Sequence, residues 1–192
     1  MSQPLPARTR LLNEALRLFA TRGYNAVGVE EIVSSAGVTK PTLYHHFGSK
    51  QGLLETLLVT RVDPALDRLA EAAAYQRDLP LTLGRVVDSM FAFGQAEPEL
   101  YWMVVAANIT AADATANQVL APRMNRQVQI LTDLFDAAIH DHGNIRGRQL
   151  LAATTLLAMI SIHLRLASEG VLTLDNRATW HLIQQFSYGI YS

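Results

Sequence analysis

Apolar residues recur along this chain at intervals of three and four, and no segment alternates with the period of a strand. Leu11, Leu12, Ala15, Leu18 and Phe19 form the first helical face, stopped by Gly23. Val29, Ile32, Val33 and Ala36 form a second, shorter one that ends at Gly37. Thr39 to Phe47 reads as a third short helix. Ser49 has the chemistry to cap a fourth, which carries Leu53, Leu54, Leu57 and Leu58. Pro64 follows Asp63 in an otherwise helical run and predicts a break or kink there. Further apolar-rich stretches cover 81–93, 99–109, 118–140, 148–168 and 176–191. Their punctuation is Asp78-Leu79-Pro80, Glu97-Pro98, His142-Gly143-Asn144 and Glu169-Gly170. The expected fold is all-α, with a small three-helix domain over 1–50 and a larger helical domain over 51–192. The fourth helix, from about residue 49, joins them without a flexible linker.

Composition narrows the chemistry. With 192 residues, 49% of them hydrophobic and only 17% charged, the chain has apolar surface for a sizeable core and some to spare for a partner. The absence of cysteine excludes disulfides, thiolate metal sites and cysteine nucleophiles, and fits a cytoplasmic location. Met1 to Arg10 lacks the apolar run of a secretory signal. Leu150 to Ile162 is the longest apolar stretch, interrupted by Thr154, Thr155 and Ser161. It falls short of the roughly 18–20 apolar residues that span a bilayer, so a buried or interface helix is expected and no membrane partner. His140-Asp141-His142 is not expected to bind metal, because neighbouring residues on a helix splay apart, and no cofactor is implied. No glycine-rich phosphate loop and no Ser/His/Asp arrangement at informative spacing points to an enzyme.

The overall charge of −1 argues against a nucleic-acid partner, yet its distribution does not. Residues 1–60 carry six basic and four acidic side chains, a balance of +2, and the acidic remainder carries −3. Within the basic part, Ala36-Gly37-Val38 separates two short helices. Gly37 can adopt the left-handed conformation that turns the chain, and Ala36 permits close helix approach. Ile32, Val38, Leu43 and Phe47 would point inward, leaving the second helix proud enough to enter a major groove.

The outward side of that helix suits base edges and phosphates. Lys40 can donate to guanine O6 or N7, and the Pro41 ring can meet a thymine methyl. Thr42 and His45 reach bases or phosphates, Tyr44 offers its hydroxyl, and Lys50 sits at the start of the fourth helix. Thr39, as the cap, and His46 complete the expected contact set. Tyr44 and His46 have an alternative reading as residues at the edge of the core.

Leu18-Phe19-Ala20, Gly23-Tyr24, Ala36-Gly37-Val38, Leu43-Tyr44-His45-His46-Phe47 and Ser49-Lys50 occur in the order seen in one family. Over residues 8–58 the chain resembles the DNA-binding domain of TetR-type transcriptional regulators. Two departures are Gly28, where Ser or Thr usually caps the second helix, and the acidic pair Glu30-Glu31. The resemblance implies a homodimer on a double-stranded operator and a carboxy-terminal body that binds a small-molecule effector. It further implies a repressor released when the effector shifts the fourth helix. A DNA-binding protein without an effector, acting architecturally or through a partner protein, is the alternative.

In the body, Met90, Phe91, Tyr101, Trp102, Met103 and Phe135 are candidate lining for an effector cavity, with Asn108 and His163 as polar groups to orient the ligand. The same residues would serve equally as plain core. The helix over 148–168 is apolar on most faces. Leu156, Met159 and Ile160, with Trp180, Ile183 and Phe186 from the last helix, are the candidate dimer interface, again with ordinary core as the alternative.

Overall fold

A computed structural model describes residues 5–109 and 114–191, and every regular element among them is helical. The elements are α1 (Ala7–Arg22), α2 (Val29–Ser35), α3 (Lys40–Phe47), α4 (Lys50–Arg61), α5 (Asp63–Ala72), α6 (Leu79–Ala96), α7 (Pro98–Ile109), α8 (Ala114–Ala138), a 3-10 turn at Gly143–Ile145, α9 (Gln149–Ser168) and α10 (Asn176–Tyr191). The all-α expectation holds. The break expected at Pro64 falls at Val62, and Pro64 occupies the first turn of α5, where a missing N–H costs no helical hydrogen bond. The third of the late helices begins earlier than its apolar pattern, at Ala114, and carries Pro122 inside it.

The chain forms two compact units: residues 1–64 with 97–124, and residues 65–96 with 125–192. In the first, α1 is the central post. Its Leu11, Ala15 and Phe19 are buried, and α2, α3, α4 and α7 all pack on it. The association of α7 with α1 was not legible in the sequence, because α7 is apolar all round and its pattern singles out no packing face.

In the second unit, α6, α9 and α10 pack on one another. Leu83, Val86, Val87, Met90 and Phe91 of α6 are buried, as are Phe135 of α8 and Leu182 and Phe186 of α10. The Phe135 and Phe186 rings meet at 5.9 Å. Helix α9 outruns the apolar stretch Leu150 to Ile162 at its C-terminal end. By length and composition alone its 20 residues would cross a membrane, and only 28% of its apolar window is buried within this chain.

Candidate nucleic-acid interface

The α2–α3 pair is built by burial and by one turn. Ile32 and Leu43 are fully buried and Phe47 nearly so, while Val38 is half-buried. Each buried apolar side chain of this kind contributes about 1.5–3 kcal/mol relative to exposure. Gly37 has φ +62°, the left-handed conformation expected of it, and the Val38 N–H closes the turn on the Val33 carbonyl at 3.0 Å. Only two side chains, Leu43 and Phe47, are buried along the eight residues of α3. The rest of that helix is free to face a partner.

That free face carries the side chains singled out in the sequence. Thr39, Lys40, Pro41, Tyr44, His45 and His46 are exposed and Thr42 is half-buried, with Tyr44 presenting 47% of its surface. Thr39 occupies the cap position without capping a backbone N–H; its hydroxyl pairs with that of Thr42 at 2.9 Å. Lys40 Nζ lies 2.6 Å from Glu30 Oε2 across the turn. The Arg8 guanidinium sits 5.7 Å from the centre of the Phe47 ring, bringing the start of α1 beside the end of α3.

Lys50 is placed differently from the phosphate contact expected of it. Its ammonium donates to the carbonyls of Tyr24 at 3.0 Å and Val27 at 2.9 Å and lies 4.1 Å from the centre of the Tyr24 ring. In this arrangement it is a strut between α4 and the α1–α2 loop. Ser49 does cap α4, accepting from the Gly52 N–H at 2.9 Å. Gly52 is confined for a steric reason: a Cβ there would run into the backbone carbonyl of Phe47, the last residue of α3.

Two arginines that the sequence did not distinguish hold α4 in place. Arg61, at its end, donates to Asn13 of α1 at 2.5 Å and to Glu97 at 3.2 Å. Arg123 of α8 bonds Glu55 of α4 at 2.7 and 3.2 Å and Asp63 at 3.0 and 3.2 Å. Its side chain is only 12% exposed. Burial opposes the Arg123 charge, but its bonds to Glu55 and Asp63 prevail and hold the guanidinium above its ordinary pKa. An arginine 60 and 68 residues away from its partners along the chain leaves no periodic signal, so only the folded geometry reveals it.

A further network joins α1 to α2. The Ser35 hydroxyl donates to Glu14 at 2.7 Å, and Arg17 donates to both Glu14 and Ser35. Those bonds, the one from Ser35 first, hold the Glu14 carboxyl below its ordinary pKa.

The candidate effector residues do not all share one compact unit. Tyr101, Trp102 and Met103 belong to the first, and Met90, Phe91, Phe135 and His163 to the second. The Asn108 side chain lies outside the described residues. Met90, Phe91, Tyr101 and Phe135 are buried. His163 donates through Nδ1 to the Met159 carbonyl at 2.7 Å, so that its polar atom is satisfied within its own helix. Asp141, from the discounted histidine cluster, accepts the Tyr75 hydroxyl at 2.8 Å.

Of the six candidate dimer residues, Leu156, Ile160, Ile183 and Phe186 are buried inside the second unit, so they do not form an outer face. The physical reason is helical phase. Ala152, Leu156, Ile160 and Leu164 form the stripe that faces inward on α9. The outward side carries Leu150, Leu151, Ala158 and Ile162 together with Thr154, Thr155 and Arg165, and a helix largely apolar on both sides does not declare in sequence which stripe goes in. On α10, Trp180 is 56% exposed and Tyr188 more so. A groove of about 330 Å³ opens beside this surface, lined among others by Ile145, Arg148, Leu151, Thr155, Met159 and Phe186.

Residues 11–57 match the family described as bacterial regulatory proteins, tetR family. The chain is 30% identical over 157 residues to the HTH-type transcriptional activator FasR of Mycolicibacterium smegmatis, a match covering 79% of this chain and 68% of that protein. Among solved structures, a TetR-like transcriptional regulator from Rhodococcus sp. RHA1 superposes with a TM-score of 0.73 at 18% identity, covering 98% of this chain and 100% of that one. FadR of Bacillus subtilis, solved in complex with stearoyl-CoA, gives a TM-score of 0.71 at 17% identity over 93% and 96% of the respective chains.

Proposed function

The chain belongs to the TetR family of DNA-binding bacterial regulators, and on that premise we propose that it binds a specific duplex operator as a homodimer and leaves it when a small molecule binds. The observation that carries the DNA reading is the outer face of α3. Two buried anchors, Leu43 and Phe47, fix the helix, and Thr39, Lys40, Pro41, Tyr44, His45 and His46 are left exposed with Thr42 half-buried. Such a short face contacts few base pairs, so specificity requires two copies reading half-sites about one helical turn, roughly 34 Å, apart. Residues 1–50 make the reading head and 51–192 the effector-binding and dimerising body, in the cytoplasm where the operator lies.

The second copy covers the outward stripe of α9 and the exposed part of α10. Leu150, Leu151, Ile162, Trp180 and Tyr188 form an apolar surface of the kind that marks a protein interface, and they replace the buried residues first expected there. The effector acts by displacing α4. Within the first unit α4 is tied to α1 through Arg61 and to α8 through Arg123, so a ligand that moves α8 pulls on the helix joined to α3. A coupling of about 1–3 kcal/mol changes operator occupancy several-fold or more. The apolar body residues favour an apolar effector, and the stearoyl-CoA bound by FadR of Bacillus subtilis supports testing acyl thioesters first. FasR is named an activator, which favours a second reading in which the bound dimer raises transcription.

Recovery of bound duplexes from a random pool, followed by binding titration of Tyr44→Ala, tests the proposal. Enrichment of a palindromic sequence and at least a tenfold loss in the variant are expected. An unenriched pool, or unchanged binding by Tyr44→Ala, would overturn the α3 assignment. A thermal-shift screen that finds no stabilising small molecule, with DNA binding intact, would favour a regulator without an effector.

A further inference from the structure

We propose that Glu30 restrains DNA binding by holding Lys40, so that operator affinity and its salt dependence are set by an acid inside the reading head. This rests on the reading of α3 as the DNA-contacting helix.

The observation is the 2.6 Å contact between Glu30 Oε2 on α2 and Lys40 Nζ at the first position of α3. The two side chains are 74% and 49% exposed, so the pair stands on the surface that α3 presents. Glu30 has no bond to another cation among those the structure describes, whereas its neighbour Glu31 is taken by Arg22 and Glu14 by Arg17. Three of the head's acids are thus paired with three of its cations, and Lys40 is the cation of α3 itself.

For Lys40 to donate to a phosphate or a guanine, its ammonium must leave the Glu30 carboxylate. An exposed pair is worth about 0.2–1 kcal/mol, which corresponds to a restraint of about 1.4- to fivefold in affinity. The ionic consequence is more distinctive. A lysine that neutralises one phosphate releases counterions and adds about 0.9 to the slope of log K against log salt. A lysine that must first leave a carboxylate gains less at low salt, because the exposed Glu30–Lys40 pair is strongest there and is screened as salt rises. Binding becomes weaker at low salt and less sensitive to salt.

The test uses the full-length protein, the duplex that it recovers from a random pool, and a random-sequence duplex of the same length. Fluorescence anisotropy across a salt series compares wild type, Glu30→Gln, Lys40→Met and the double variant, with thermal melts to verify folding. Glu30→Gln should bind both duplexes about 1.4- to fivefold more tightly at low salt, the gain shrinking as salt rises, so that its slope is steeper than that of the wild type. Lys40→Met should weaken binding, and adding Glu30→Gln to it should restore little. An equal gain from Glu30→Gln in both backgrounds would mean simple repulsion of phosphate and would overturn the restraint. Wild-type affinity in Glu30→Gln beside a weakened Lys40→Met would also overturn it, leaving α3 as the DNA contact. Wild-type affinity in both Lys40→Met and Tyr44→Ala would remove the DNA reading of α3, and the restraint with it.

Discussion

Helices α3 and α9 each bury one side and present the other, but what they present is opposite. The eight residues of α3 rest on two buried side chains and offer hydroxyls, imidazoles, a lysine and a phenol. The twenty residues of α9 rest on a leucine, isoleucine and alanine stripe and offer Leu150, Leu151 and Ile162 among two threonines and Arg165. A polar outer face is stable in water and can wait for a polyanion. An outer face with that much exposed leucine and isoleucine is the kind that a protein partner covers. On the proposed function, the difference separates a reversible contact from an assembly contact within one chain.

The largest effect should come from the anchor of α3. Leu43→Ala empties a fully buried site and should cost about 2–5 kcal/mol, read as an early loss of helical signal in thermal denaturation. If the head tolerates it, α3 does not depend on its burial and the contrast with α9 fails. Next, Leu151→Glu with Trp180→Glu should convert a dimer into a monomer by analytical ultracentrifugation while the melting curve of the helices remains cooperative. A dimer unchanged by both substitutions would mean that the outward stripe of α9 is not the cover.

A smaller effect is expected where α4 is fastened. Arg123→Leu leaves Glu55 and Asp63 facing each other without their cation. Removal of one partner from a buried pair costs about 3–5 kcal/mol, but these carboxylates are 46% and 31% exposed, so about 1–2 kcal/mol is the appropriate expectation. Operator binding should fall more than global stability does. Equal losses in both would make Arg123 a purely structural tie.

The smallest effect concerns pH. The Glu14 carboxyl is held below its ordinary value of 4.5 in the folded chain, so its bonds to Ser35 and Arg17 stabilise the fold above pH 4.5. That contribution declines as pH falls below 4.5 and is gone below the depressed folded value. Glu14→Gln should therefore flatten the stability curve in acid and lower it slightly at neutral pH. An unchanged acid limb would show that the network contributes nothing measurable.

How much of this could be read beforehand follows the same division. The α1–α4 pattern was legible because short amphipathic helices joined by Gly37 leave few ways to bury Ile32, Leu43 and Phe47. The outer side of α3 followed from it, although the strut role of Lys50 and the Glu30 contact of Lys40 did not. Both depend on side-chain reach across loops, which no periodicity encodes. In α9 the helix was legible and its phase was not, since Leu156 and Leu151 are the same residue to a pattern and differ only in what stands opposite. Arg61 and Arg123 were invisible for a further reason: their partners lie tens of residues away.

The space that Gly52 leaves empty has a mechanical consequence. With the Phe47 carbonyl occupying the place of a side chain, the end of α3 and the first turn of α4 touch backbone to backbone, and no rotamer lies between them to yield. The two helices meet there with Gly48 and Ser49 as the only residues between them. A Gly52→Ala substitution would therefore have to push the end of α3 and the start of α4 apart.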